Sequence, residues 1–133
     1  MNLVALVDDD SIFQFTATRL IQSTKLAGEI LQFENGGSAI DYLKQHASDA
    51  NKLPNHLFLD INMPFLDGWM FLEEFAQLKA NLTKKINIYM VSSSIDQRDM
   101  DRAKASQDVR EFVVKPVSIE TFSRLLQVDT VTE

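Results

Sequence analysis

Acids, a hydroxyl and a lysine stand at the ends of four short apolar runs in this sequence. Residues 3–7 run into Asp8, Asp9 and Asp10, and residues 57–59 into Asp60. Residues 88–91 run into Ser92, Ser93 and Ser94, and residues 112–114 into Lys115 and Pro116. These side chains suit phosphoryl chemistry. A carboxylate such as Asp60 can take a phosphoryl group as a mixed anhydride. The group in transit spreads negative charge over its oxygens and needs cations and hydrogen-bond donors around it. Lys115 offers an ammonium and Ser92 a hydroxyl, and loop amides can offer more. Asp8, Asp9 and Asp60 together would repel one another and raise each other's pKa. Such a cluster persists when a cation sits in it, and oxygen-only ligands favour Mg2+ or Mn2+ over zinc. Asp10 is read as a helix cap. Taken singly, Ser92 is a turn residue and Lys115 a surface lysine; their joint occurrence at strand ends overturns that reading.

The elements that would bring these residues together alternate along the chain. A short apolar run bounded by turn signals reads as a buried strand. Strands are expected at residues 3–7, 29–33, 56–59, 87–91 and 112–114. The first helix is expected to start at Ser11 or Asp10, with Phe13, Ala17 and Leu20 on its apolar face and Gly28 closing the unit. The second is expected to be capped by Ser38 after the Asn35-Gly36-Gly37 turn, with Ile40, Leu43 and Ala47 inward. Phe71, Phe75 and Leu78 mark the third. Ser94 and Gln97 form a capping-box pattern for the fourth, with Asp96 a rival cap and Met100 its main large apolar residue. Ile119, Phe122 and Leu126 mark the fifth. Alternation of this kind predicts an α/β fold: a doubly wound five-stranded parallel sheet, order 2-1-3-4-5, with five helices. Right-handed crossovers put every strand's carboxyl end on one edge, where ligands bind.

Composition narrows the function. The chain has 133 residues, 45% hydrophobic and 24% charged, with a formal net charge of −6 and no cysteine. One domain over residues 1–133 is expected, with its core at 3–127, a short tail after it and no output domain. The acidic balance argues against nucleic acid, and Lys84-Lys85 is read as a solvated loop. Without cysteine there is no disulfide framework, thiolate zinc site or thiol nucleophile. No stretch suits a signal peptide or a membrane span, so a cytoplasmic protein is expected. His46 and His56 are read as surface or strand-edge residues, and Trp69 as a packing residue. Asn35-Gly36-Gly37-Ser38 lacks the Lys-Ser/Thr continuation of a phosphate-cradling loop.

The ordered set Val7-Asp8-Asp9, Leu59-Asp60-Ile61-Asn62-Met63-Pro64 with Asp67-Gly68, Met90-Val91-Ser92-Ser93 and Val113-Val114-Lys115-Pro116 closely resembles the receiver domain of bacterial two-component response regulators. The resemblance covers residues 3–127 and implies a flavodoxin-like fold. It implies phosphorylation of Asp60 by a sensor histidine kinase or a histidine phosphotransfer protein. Asp9, Asp60 and the Asn62 backbone carbonyl would hold Mg2+, with Asp8 acting through water. Lys115 would contact the phosphoryl group across a cis Lys115–Pro116 bond. Ser92 and Phe112 would form the switch; phenylalanine, where many receivers carry tyrosine, excludes readout through a hydroxyl. An unidentified downstream protein would receive the signal. Phe13, Gln14, Pro116 and Val117 are the expected exposed residues of the kinase-docking face. Such a protein is not an enzyme beyond its own phosphoryl transfer and dephosphorylation.

Two other classes remain open at this stage. A Mg2+-dependent phosphohydrolase of the haloacid dehalogenase type also begins with a strand and Asp-x-Asp, which would make Asp8 the nucleophile and Asp10 the acid/base. The short chain, and Asp60 with its Met63-Pro64 and Asp67-Gly68 context, speak against it. A binding module of the same fold that is never phosphorylated would have no need of the full set of Asp8, Asp9, Asp60, Ser92 and Lys115.

Overall fold

Each apolar run forms one strand, and the length of chain between runs sets what covers it. The computed structural model describes residues 2–127; the expected tail lies outside the described residues. The order is β1 (Asn2–Val7), α1 (Ser11–Thr24), β2 (Ala27–Phe33), α2 (Gly36–Gln45), β3 (His56–Asp60), α3 (Gly68–Leu78), a 3-10 turn (Lys79–Asn81), β4 (Asn87–Ser92), α4 (Gln97–Ala105), β5 (Val109–Val114) and α5 (Ile119–Leu126). All five strands are parallel, in the order β2-β1-β3-β4-β5. The central β3 and β4 are buried at every position, as befits strands covered on both faces.

The sheet divides two apolar cores. Leu57, Leu59, Ile88 and Met90 face α2 and α3, where they meet Ile40, Leu43, Phe71 and Phe75. Phe58, Tyr89 and Val91 face α1 and α5, where they meet Ile21, Phe122 and Leu125. Each such side chain contributes about 1.5–3 kcal/mol on burial. α4 stands apart: Ala103 is its one buried residue, and Met100 is only half-buried. The Arg102 guanidinium lies over the Trp69 ring at 4.4 Å and ties α4 to α3.

Of the two residues expected to cap α1, Asp10 does so, its carboxylate accepting from the Ile12 and Phe13 amides. Other local expectations are corrected. Lys25, at φ 59, ends that helix, and Gly28 lies inside β2. Asn35, not Ser38, caps α2 by accepting from the Ser38 amide, and Ala47 falls beyond the helix. Asp96 wins over Ser94 at α4. In each case the cap's side-chain oxygen reaches an unpaired first-turn N–H. The polar stretch before β3 is pinned rather than loose. Leu53 is buried in it, the Tyr42 hydroxyl donates to the Lys52 carbonyl, and the Thr83 amide to that of Ala47.

His56 is no surface residue; it is fully buried against Tyr89. Its Nδ1 lies 3.0 Å from the Tyr89 hydroxyl, which donates in turn to the Leu125 carbonyl at 3.2 Å. That arrangement makes Nδ1 the donor of the first bond. His46 packs its ring on Tyr42 at 4.4 Å.

Candidate functional site

The carboxyl ends of β1, β3, β4 and β5 deliver the polar residues to one edge. Asp8 follows β1 directly and is 1% exposed. Its Oδ1 accepts from the Asp10 amide at 2.8 Å, and its Oδ2 lies 2.9 Å from Lys115 Nζ. Asp60, the last residue of β3, is buried as well. Its Oδ1 lies 3.9 Å from Lys115 Nζ and accepts a long bond from the Asn62 amide at 3.4 Å. Asp9 is exposed, and its side chain has no hydrogen bond or ion pair among the described residues. Carboxylate oxygens of Asp8, Asp9 and Asp60 nevertheless lie within 4.8 Å of one another.

Lys115 reaches this cluster because the β4–β5 ladder runs one rung past the strands: its amide donates to the Ser92 carbonyl at 2.8 Å. Its ammonium also lies over the Phe13 ring at 4.5 Å. The Lys115–Pro116 peptide is cis. The Ser92 hydroxyl is fully buried and accepts from the Ser94 amide at 3.1 Å. Phe112, opposite Met90 across the ladder, is half-buried against the core on the α2–α3 side of the sheet.

Burial and the neighbouring Asp8 push the Asp60 carboxyl up to about 7, against the opposing pull of Lys115. One lysine does not neutralise three acids. The donor set is all oxygen, partly exposed at Asp9, and its charge is unbalanced. That suits a hard divalent cation and not a soft one.

Behind the cluster, Gly68 lets α3 start against β3: a Cβ there would come within 2.9 Å of the Asp60 carbonyl oxygen and of Ile61 Cα. Asp67 caps that helix through the Met70 amide. Phe65, in the same loop, sits at φ 70 with 98% of its surface exposed.

The site thus gathers Asp8, Asp9, Asp60, Ser92 and Lys115 from a stretch of sequence running from residue 8 to residue 115. Asn62 is exposed beside it, and Asp10 is committed to its helix cap. Two of the expected docking residues are corrected. Gln14 is 7% exposed and Val117 is buried, whereas Pro116 is exposed and Phe13 half-buried. Gln14 turns inward because it shares a stripe with Ala17 and Ile21, the buried residues of α1. That i, i+3, i+7 spacing was visible, but a polar residue at its head does not read as core.

The chain matches the family model of the response regulator receiver domain over residues 4–127. It is 26% identical over 125 residues to the probable methanogenesis regulatory protein FilR2 of Methanothrix harundinacea, a match that spans 94% of this chain and 79% of that one. It is 26% identical over 111 residues to the chemotaxis protein CheY of Bacillus subtilis, across 84% of this chain and 83% of that one. A crystal structure of a two-component response regulator from Cytophaga hutchinsonii aligns with a TM-score of 0.84 at 34% identity, covering 92% of each chain.

Proposed function

The chain belongs to the response regulator receiver domain family, and from that premise we propose that it accepts a phosphoryl group on Asp60 and signals by changing how it binds a partner protein. The observation that carries this reading is the Asp60 carboxylate, buried and only 3.9 Å from the Lys115 ammonium, with two further acids beside it. The donor is a phosphohistidine of a sensor kinase or a phosphotransfer protein. An Asp60 oxygen attacks phosphorus, the P–N bond breaks, and the imidazole leaves with its electron pair and takes up a proton. The product is an aspartyl phosphate.

Asp8, Asp9 and Asp60, with the Asn62 carbonyl, would hold Mg2+ or Mn2+, which neutralises phosphoryl oxygens and the crowded carboxylates. The chain's own groups do the rest. Lys115 lies between Asp8 and Asp60 and needs only a small rotation to meet a phosphoryl oxygen on Asp60. Pairing to Asp8 and the Phe13 ring hold it there in the resting state.

Ser92 and Phe112 supply the response. To donate to a phosphoryl oxygen, the Ser92 hydroxyl leaves the Ser94 amide and opens space beside β5. Phe112 fills that space through packing alone. α4, with one buried residue, is the element least held and the one that shifts. A swing from 1:99 to 99:1 requires about 5.5 kcal/mol of preference for the active state. Docking of the donor is favoured along an apolar groove of about 360 Å³ between α1 and the β5–α5 loop, lined by Ile12, Phe13, Leu20 and Pro116.

The test is intact mass after incubation with Mg2+ and a small acyl phosphate, for wild type and Asp60→Asn. One phosphoryl adduct that is lost in the variant and maps to Asp60 supports the proposal. An adduct that survives and maps to Asp8 overturns it.

A further inference from the structure

α1 begins at the site, yet its one buried polar side chain is absent from the phosphoryl chemistry above. The Gln14 amide nitrogen lies 3.1 Å from the Asp8 carbonyl oxygen, 3.1 Å from that of Phe33 and 3.2 Å from that of Leu6. These carbonyls close the carboxyl ends of β1 and β2. The same Phe33 carbonyl also accepts from the Asp8 amide at 3.0 Å. Chemistry fixes which way the amide points, because turning Oε1 toward three carbonyls would set four acceptors face to face. The consequence is that Oε1 is buried with no donor. An amide so placed leaves its own oxygen unsatisfied to keep its N–H groups on the backbone around Asp8.

That backbone aims Asp9. The Asp8 carboxylate is fixed by its own contacts to the Asp10 amide and Lys115. Among the described residues the Asp9 side chain has no hydrogen bond or ion pair, so the backbone that carries it is its one anchor, and its carboxylate lies within 4.8 Å of those of Asp8 and Asp60. We propose that Gln14 is a positioning residue for the cation site: by holding the Asp8 carbonyl it sets the direction in which Asp9 meets a divalent cation shared with Asp60. This rests on the reading of Asp60 as phosphoacceptor. Partners one step removed from a metal typically change its affinity about 10- to 100-fold when lost.

The experiment is a MgCl2 titration of the full chain, followed by backbone amide shifts, for wild type, Gln14→Met and Leu53→Ala. Methionine keeps the length and removes both N–H groups. Leu53 is a fully buried residue in the stretch before β3 and reports loss of stability alone. The expected result is a Mg2+ midpoint about tenfold higher for Gln14→Met and unchanged for Leu53→Ala. At saturating Mg2+ the Asp60 phosphorylation rate of Gln14→Met returns to within about twofold of wild type, because its loss is one of metal affinity. A Gln14→Met midpoint equal to wild type overturns the proposal, as does an equal rise in both variants. Should Gln14→Met not fold, wild type decides: the Gln14 side-chain amide signals move with the same Mg2+ midpoint as the Asp9 amide, and signals that stay fixed overturn the proposal. A wild type that neither binds Mg2+ nor takes a phosphoryl group would instead overturn the Asp60 reading.

Discussion

Acid is expected to strip stability from this protein through His56. Burial, with a smaller push from Arg110, lowers its pKa from the ordinary 6.5 to about 4. Between those values the native imidazole is neutral while the unfolded chain binds a proton. Stability therefore falls as the pH drops from 6.5 toward 4 and changes no further below that. Above 6.5 both states are neutral and His56 contributes nothing. The gap between about 4 and 6.5, at 1.36 kcal/mol per pH unit, amounts to about 3 kcal/mol. That is a large share of the roughly 5–15 kcal/mol that holds a typical domain.

The assay is urea unfolding at several pH values for wild type and His56→Phe. The variant loses a hydrogen bond to Tyr89, an offset of about 1 kcal/mol that does not depend on pH. It keeps Asp60 and the other acids, so their titration cancels in the comparison. The wild-type advantage over His56→Phe is expected to shrink by about 3 kcal/mol between neutral pH and about pH 4. A difference that stays constant within about 0.5 kcal/mol, near the error of the extrapolation, refutes the reasoning.

Three further outcomes follow from the site. Lys115→Met leaves the Asp8 carboxylate buried without its cation, and about 3–5 kcal/mol is lost in chelator; thermal scans with and without Mg2+ check this, and equal melting temperatures for variant and wild type would refute it. Gly68→Ala drives a Cβ into the Asp60 and Ile61 backbone, at a cost of about 1–3 kcal/mol, read from urea midpoints; a neutral substitution would mean that α3 shifts freely. Mg2+ affinity is expected to rise as the pH climbs through about 7, since the cation must displace the Asp60 proton. Calorimetry on either side of that value tests it, and equal affinities would count against a raised Asp60 pKa.

The strands and the site were legible because both depend on short-range patterns. An apolar run that stops at a charged residue states where a buried strand ends, and parallel topology turns four such stops into one pocket. What escaped depends on contacts the sequence does not display. His56 looked like a strand edge because its partners, Tyr89 and the Leu125 carbonyl, lie more than thirty residues away. Gln14 looked exposed because carbonyls at a sheet edge, which are its reason for burial, carry no side-chain signature. The caps of α2 and α4 lie two to three residues from the expected ones because Asn35 and Asp96 competed with nearby serines for first-turn amides.

The place of β5 at the rim of the sheet has a bearing on biosynthesis. β5 pairs only with β4, and it brings the lysine that answers the acids of β1 and β3. A ribosome releases those acids first. A nascent chain that has released β1 to β4 would hold the acids of the proposed site without the Lys115 ammonium. On the proposed reading, the acceptor gains its lysine only when β5 docks on β4, so synthesis of Asp60 alone would not suffice for transfer.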